Sequence, residues 1–126
     1  MRLEVTNAMD FTILVMVGSK MYDLDTAQAW PVVSGPYGKG KAPKGRYKVD
    51  KPKAIEATEA NKSFRDTEGL AWFAPITPLF QTDRTSLGIH PDGGVPGTLG
   101  CIGVKGATKG LYEFLAQAPN VSLFVL

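Results

Sequence analysis

Apolar and polar residues alternate in short runs through most of the chain, the period of two that a half-buried strand requires. Leu3-Glu4-Val5-Thr6 alternates, Phe11–Val17 is rich in β-formers, and Lys20–Leu24 follows a turn at Gly18-Ser19. Trp30–Val33 is a further strand, in which Pro31 favours the first residue or a sheet edge. Ser34–Gly45 is dense in turn residues and reads as a loop, after which Arg46–Val49 resumes the alternation. Asp50–Glu68 is polar and charged, a surface excursion with a short helix around Ile55–Asn61. Leu70–Ala74 reads as a buried strand ended by Pro75, and Leu87–Ile89 as a brief apolar run leading into His90. Beyond the Gly/Pro loop Pro91–Gly100 comes Cys101–Val104. Only at Thr108–Gln117 does the period change: Leu111, Phe114 and Leu115 form one face of a helix that Pro119-Asn120 ends. Val121–Leu126 is the last strand. Many short strands with one C-terminal helix predict a mainly-β fold, a sandwich or barrel.

The length of 126 residues suits one domain, residues 1–126, and the net charge of +2 is too small to argue for a nucleic-acid partner. No stretch approaches the roughly 18 apolar residues of a membrane helix, so no membrane insertion is expected. Glu4, Asn7 and Asp10 interrupt the first ten residues, and the run from Phe11 to Val17 is short and ends in a turn. The amino terminus therefore lacks the pattern of a secretory signal, and synthesis in the cytoplasm is expected.

One cysteine excludes an intramolecular disulfide, and one histidine leaves zinc short of ligands, so neither metal nor cofactor is expected. What remains is one thiol and one imidazole. Ten residues separate His90 from Cys101, and four are glycine and two proline, enough turn chemistry to bring the ends together. A thiol attacks as thiolate, and an adjacent imidazole is the base that makes it so. Gly100 allows the backbone close to a substrate carbonyl, where N–H groups can form an oxyanion hole. Against this stands a buried structural cysteine with a histidine at a strand end.

Ile89-His90 followed by Gly93, and then Thr98-x-Gly100-Cys101-Ile102, resembles the signature of the L,D-transpeptidase (YkuD-like) catalytic domain. Val32-Val33-Ser34-Gly35 and Pro43-Lys44-Gly45-Arg46-Tyr47 resemble two upstream stretches of the same family, in the same order. The resemblance runs from about Phe11 to Val104. The short chain and the His-Pro-Asp-Gly-Gly loop are similar to small members from phages, prophages and type VI effectors. It implies that Cys101 attacks the diaminopimelate–D-Ala carbonyl of a peptidoglycan stem peptide, with His90 as base. Gly100 and Thr98 would supply the oxyanion-side backbone, and Arg84, Tyr47 and Gly93 would contact substrate.

The acyl-enzyme would pass to another stem (transpeptidation), to water (L,D-carboxypeptidase) or to a free D-amino acid (exchange), as in a toxin or lysis protein. A non-catalytic wall-binding or virion module of this fold is the other reading. The resemblance further implies action in the periplasm or cell wall after delivery by phage, lysis or a secretion system, with a cognate immunity or delivery protein as partner.

Two departures stand out. The family often carries Arg two residues after the cysteine, where this chain has Gly103, so Arg84 becomes the candidate for the substrate carboxylate. The family's residue after the histidine is commonly Gly, here Pro91, so the group orienting His90 is open between a backbone carbonyl and Asp92, itself more readily a turn-former. Gly35–Lys41 superficially fits a P-loop, but Ala42 stands where magnesium needs a hydroxyl, and Pro43-Lys44-Gly45 cannot start its helix. Lys39, Lys41, Lys44 and Arg46 make a basic loop, and Trp72 is expected in the core. The sequons at Asn61 and Asn120 are discounted. Papain-like and NlpC-type enzymes place cysteine before histidine, and a sortase needs an arginine after its cysteine; no arginine follows Arg84.

Overall fold

The structure is a computed structural model that describes residues 10–56, 58–93 and 97–126. The strand expected at Leu3–Thr6 and the centre of the Pro91–Gly100 loop lie outside the described residues. Among the described residues nine strands form: β1 (Thr12–Val17), β2 (Lys20–Asp23), β3 (Ala29–Ser34), β4 (Gly45–Val49), β5 (Lys53–Ala54), β6 (Trp72–Pro78), β7 (Gly88–Pro91), β8 (Ile102–Val104) and β9 (Val121–Val125). One α-helix, α1 (Lys109–Gln117), precedes β9, and a 3₁₀ segment spans Glu59–Phe64.

The sheet runs β4-β9-β1-β2-β3-β8-β7-β6-β5, and an additional β4–β6 pairing closes it into a barrel. Closure leaves few unpaired edges, the solution that many short strands favour. The alternation read in the sequence is the in–out alternation of the wall. Leu14 and Met16 of β1, Tyr47 and Val49 of β4, Trp72, Ala74 and Ile76 of β6, and Leu123 and Val125 of β9 are all buried in one core. Leu111 and Leu115 of α1 join that core. Phe114 is only partly buried and packs on Trp30, ring centroids 5.4 Å apart.

Three expectations change. β6 is not ended by Pro75 but continues to Pro78. On one side β6 pairs with β5 at Trp72-Phe73 and with β4 at Ile76–Pro78, so Pro75 stands in the gap between two ladders. Pro31 lies inside β3, paired with Lys20, with its carbonyl accepting from the Lys105 N–H at 3.0 Å. The excursion after β4 forms the short strand β5 and a 3₁₀ segment later than the helix expected around Ile55–Asn61. Its end is tied down by Asp66, whose carboxylate accepts the N–H groups of Glu68, Leu70 and Thr108.

Candidate active site

The register of two strands puts Cys101 and His90 on the same face of the wall. β7 and β8 pair in parallel, with Ile89 opposite Ile102 and His90 opposite Gly103. One step back in that register, Cys101 falls beside Gly88. Ile89 and Ile102 are fully buried in the core. The alternate positions, His90 and Cys101, therefore share the outer face of the wall and are diagonal neighbours. In a regular sheet that diagonal is about 7–8 Å between backbones.

Both residues line a cavity of about 1290 Å³ on that face. All four residues of β7 are buried, because the core covers one face and the cavity's roof the other. The roof over His90 is aromatic. The Phe64 ring, at the end of the 3₁₀ segment, lies 4.3 Å from the imidazole centroid, and Phe73 of β6 stacks at 6.0 Å with 15° between planes.

His90 Nδ1 contacts the Pro91 carbonyl oxygen at 2.7 Å. A carbonyl only accepts, so Nδ1 carries the hydrogen and Nε2 keeps the lone pair of a base. Burial holds the imidazole below its ordinary pKa, opposed by the Pro91 hydrogen bond and the Asp92 carboxylate. Burial raises the Cys101 thiol, opposed by the Gly88 backbone and by the Arg84 guanidinium. Both shifts favour a neutral thiol–imidazole pair over a standing ion pair. The S–H points at the Ser86 carbonyl, 3.8 Å away.

The backbone around the thiol is pinned by hydroxyls. The Cys101 carbonyl accepts from Ser34 Oγ at 2.9 Å and from Thr98 Oγ1 at 2.5 Å. Thr98 Oγ1 also accepts the Gly35 N–H at 3.0 Å and the Gly100 N–H at 3.2 Å. Thr98 is thus a buried hub of the loop, and the Gly100 amide, expected at the oxyanion position, is engaged by it. Gly100 has φ of 136°, a left-handed value that glycine alone adopts freely, and a Cβ there would overlap Arg84 Nη2.

A family model for the YkuD L,D-transpeptidase catalytic domain matches residues 10–122. The chain belongs to that family. Among curated proteins, no relative matches the sequence. The closed, mainly-β barrel with one C-terminal helix agrees with the fold expected of an L,D-transpeptidase domain.

The two departures from the family pattern have local causes. A Cβ at Gly103 would stand 2.8 Å from Asp92 Cβ and 3.1 Å from Thr98 Cγ2, so an arginine there would have to push Asp92 aside and crowd Thr98. At Pro91 it is the carbonyl that orients His90, a contact that asks nothing of an N–H at that position. Asp92 contributes charge rather than a hydrogen bond to the imidazole.

Of the expected substrate-contacting residues, Arg84 and Gly93 line the cavity and Tyr47 does not. Tyr47 is 0% exposed, its hydroxyl donates to the Pro43 carbonyl at 2.5 Å, and burial pushes its pKa up to about 12. It belongs to the core because position 47 faces inward on β4. Gly93 donates its N–H to Ser63 O at 3.0 Å, joining the cavity's floor to the 3₁₀ segment. Ser34, Phe64 and Phe73 were not singled out as site residues by the sequence. The match at Val33-Ser34-Gly35 carried a signal for Ser34, whereas nothing local marks two phenylalanines as the walls of a histidine.

Proposed function

We propose that the protein is a cysteine acyl-transfer enzyme acting on peptidoglycan stem peptides at the diaminopimelate–D-Ala bond. The observation that carries this is the β7–β8 register, with His90 and Cys101 on one face opening to one cavity. Cys101 Sγ attacks the carbonyl carbon while His90 Nε2 takes the thiol proton. The tetrahedral intermediate collapses, the C–N bond breaks, and His90 returns the proton to the departing D-Ala amine. A thioester remains on Cys101. An amine from a second stem then forms a new peptide bond and regenerates the thiol, the transpeptidase outcome. Water instead yields the free acid, and a free D-amino acid yields exchange.

No metal enters the scheme. Lys39 and Lys62 line the cavity and suit a ligand rich in carboxylates. The stem peptide lies in the cell wall, so the protein acts there, and a delivery partner is the corollary if the native product carries no leader. The test is mass spectrometry of the intact protein after incubation with disaccharide tetrapeptide or a carbapenem. The expected result is one adduct on Cys101, absent in Cys101→Ala and strongly slowed in His90→Gln. No adduct and no change in the tetrapeptide would favour the non-catalytic wall-binding reading.

A further inference from the structure

Arg84 is held in a way that the other cations of the cavity are not. Lys39 and Lys62 reach into solvent, their side chains 69% and 67% exposed, each beside a carboxylate, Asp83 at 3.7 Å and Glu59 at 3.1 Å. Arg84 is partly buried and tethered. Its Nη1 donates to the carbonyls of Lys39 at 3.4 Å and Lys41 at 3.3 Å, and Nη2 to that of Gly40 at 3.1 Å. A guanidinium carries five N–H groups and stays protonated, so this grip leaves two of them without a partner among the described residues. Nη2 also stands where a Cβ of Gly100 would be, against the peptide preceding Cys101. Meanwhile the Gly100 amide donates to Thr98 Oγ1 at 3.2 Å and is not free for a substrate oxygen.

We infer that the Arg84 guanidinium is the electrostatic partner of Cys101, stabilising negative charge on the sulfur and on the carbonyl oxygen it attacks. The three loop carbonyls hold it rigidly beside Gly100–Cys101, so little reorganisation is needed as charge develops. As the S–C bond forms, the carbonyl π pair moves onto oxygen and the thiol proton to His90 Nε2. The oxyanion shares the remaining Arg84 N–H groups with the Cys101 backbone. When the carbonyl re-forms, the C–N bond breaks and His90 protonates the amine; Arg84 keeps its proton throughout. In this arrangement a cation from the segment before β7 does electrostatic work beside the cysteine, where Gly103 supplies none. The oxyanion half rests on the acyl-transfer reading above, whereas the thiolate half needs no substrate.

The test compares wild type with Arg84→Gln and Arg84→Lys, after thermal melting confirms that all three fold. The first readout is the pH dependence of Cys101 alkylation by iodoacetamide; Tyr37, His90, Asp83, Lys39 and Lys62, the other ionisable groups lining the cavity, are unchanged in every variant. Arg84→Gln is expected to move the midpoint of that profile upward by about one pH unit, and Arg84→Lys by less. The second readout is acylation by tetrapeptide, where Arg84→Gln should lower kcat about 10²-fold with little change in KM. An unchanged alkylation profile with the loss confined to KM would overturn the inference and make Arg84 a binder of substrate carboxylate. Equal kcat losses in both variants with an unchanged profile would overturn it in favour of a loop strut. If wild type accepts no acyl group at all, the proposed reaction fails, yet the alkylation profiles still decide whether Arg84 acts on the thiol.

Discussion

Ser34 Oγ donates to the Cys101 carbonyl at 2.9 Å, joining two residues 67 positions apart. Thr98 Oγ1 donates to the same oxygen at 2.5 Å, so both lone pairs of that carbonyl are engaged. With its carbonyl held from two sides, the peptide after Cys101 cannot swing, and the direction of the Cys101 side chain is set by β3 and the loop together. Ser34 Oγ also accepts the Ala42 N–H at 2.8 Å, which anchors the Lys39–Ala42 loop to the same point. Ser34→Ala is expected to slow acylation about tenfold, the loss of its hydrogen bond to that carbonyl, and Thr98→Val by more, because Thr98 Oγ1 also accepts the Gly35 and Gly100 N–H groups. The double variant should lose less than the product of the two, because both act on one carbonyl. Single-turnover acylation measures this, with thiol content in denaturant as the control. Additive losses would show that the hydroxyls act separately.

The pH dependence of acylation follows from the two shifted groups. His90 must be neutral to take the thiol proton, and burial lowers its pKa below the ordinary 6.5. Activity should therefore persist into mildly acidic solution, with the acid limb of the profile below 6.5. Cys101 must keep its proton for the leaving amine, and burial raises its pKa above the ordinary 9.0, so the alkaline limb should lie beyond that value. The profile of kcat/KM reports both limbs. Phe64→Ala, which opens the imidazole to water, is expected to move the acid limb back towards 6.5. An acid limb above 6.5 in wild type would contradict the buried, neutral histidine.

Much of this arrangement was legible in the chain, and the part that was not has a common cause. The strands were readable because each shows its inner face to a closed core, which gives the period of two. The thiol and imidazole were readable because there is one of each, joined by a glycine-rich loop. Tyr47 was misplaced in the cleft because a family motif located it near the site without saying which way β4 turns it. The Pro75 boundary was misplaced because a proline stops a strand only where its N–H is needed, and the gap between β4 and β5 is a tertiary feature. The Ser34, Phe64 and Phe73 contacts are likewise tertiary; they depend on which face of which neighbour each side chain meets.

Restoring the family's usual residue at position 103 should harm the protein. A Cβ there already crowds Asp92 and Thr98, at 2.8 Å and 3.1 Å. Gly103→Arg must displace Asp92 and press on Thr98, whose hydroxyl organises Gly35, Gly100 and Cys101. The expected outcome is a destabilisation of about 1–3 kcal/mol, typical of overpacking, together with loss of acylation. Thermal unfolding and the Cys101 adduct assay measure the two. A stable, more active Gly103→Arg would show that the position is open to substrate.

Asp66 is the buried acid that holds the excursion and the helix together. Its Oδ1 accepts the N–H groups of Glu68 at 2.8 Å and Leu70 at 3.0 Å, and its Oδ2 accepts the N–H and Oγ1 of Thr108, each at 2.8 Å. Thr108 Oγ1 in turn accepts the Trp72 indole N–H at 2.8 Å, so the chain of bonds runs from the loop before β6, through the start of α1, into the core. Burial alone would raise the Asp66 pKa, but the donors from Thr108, Glu68 and Leu70 outweigh it and hold the carboxyl below its ordinary 3.8. The folded state thus binds the proton less readily than the unfolded chain. Its stabilisation is complete above 3.8 and fades as pH falls through the lower folded value. Asp66→Asn replaces an acceptor oxygen with an NH₂ facing donors, at a cost of about 3 kcal/mol at neutral pH. Denaturant unfolding of both proteins across the acid range should show the gap between them narrowing below pH 3.8. A gap that stays constant would mean that the carboxylate's charge contributes nothing and that shape alone matters at this position.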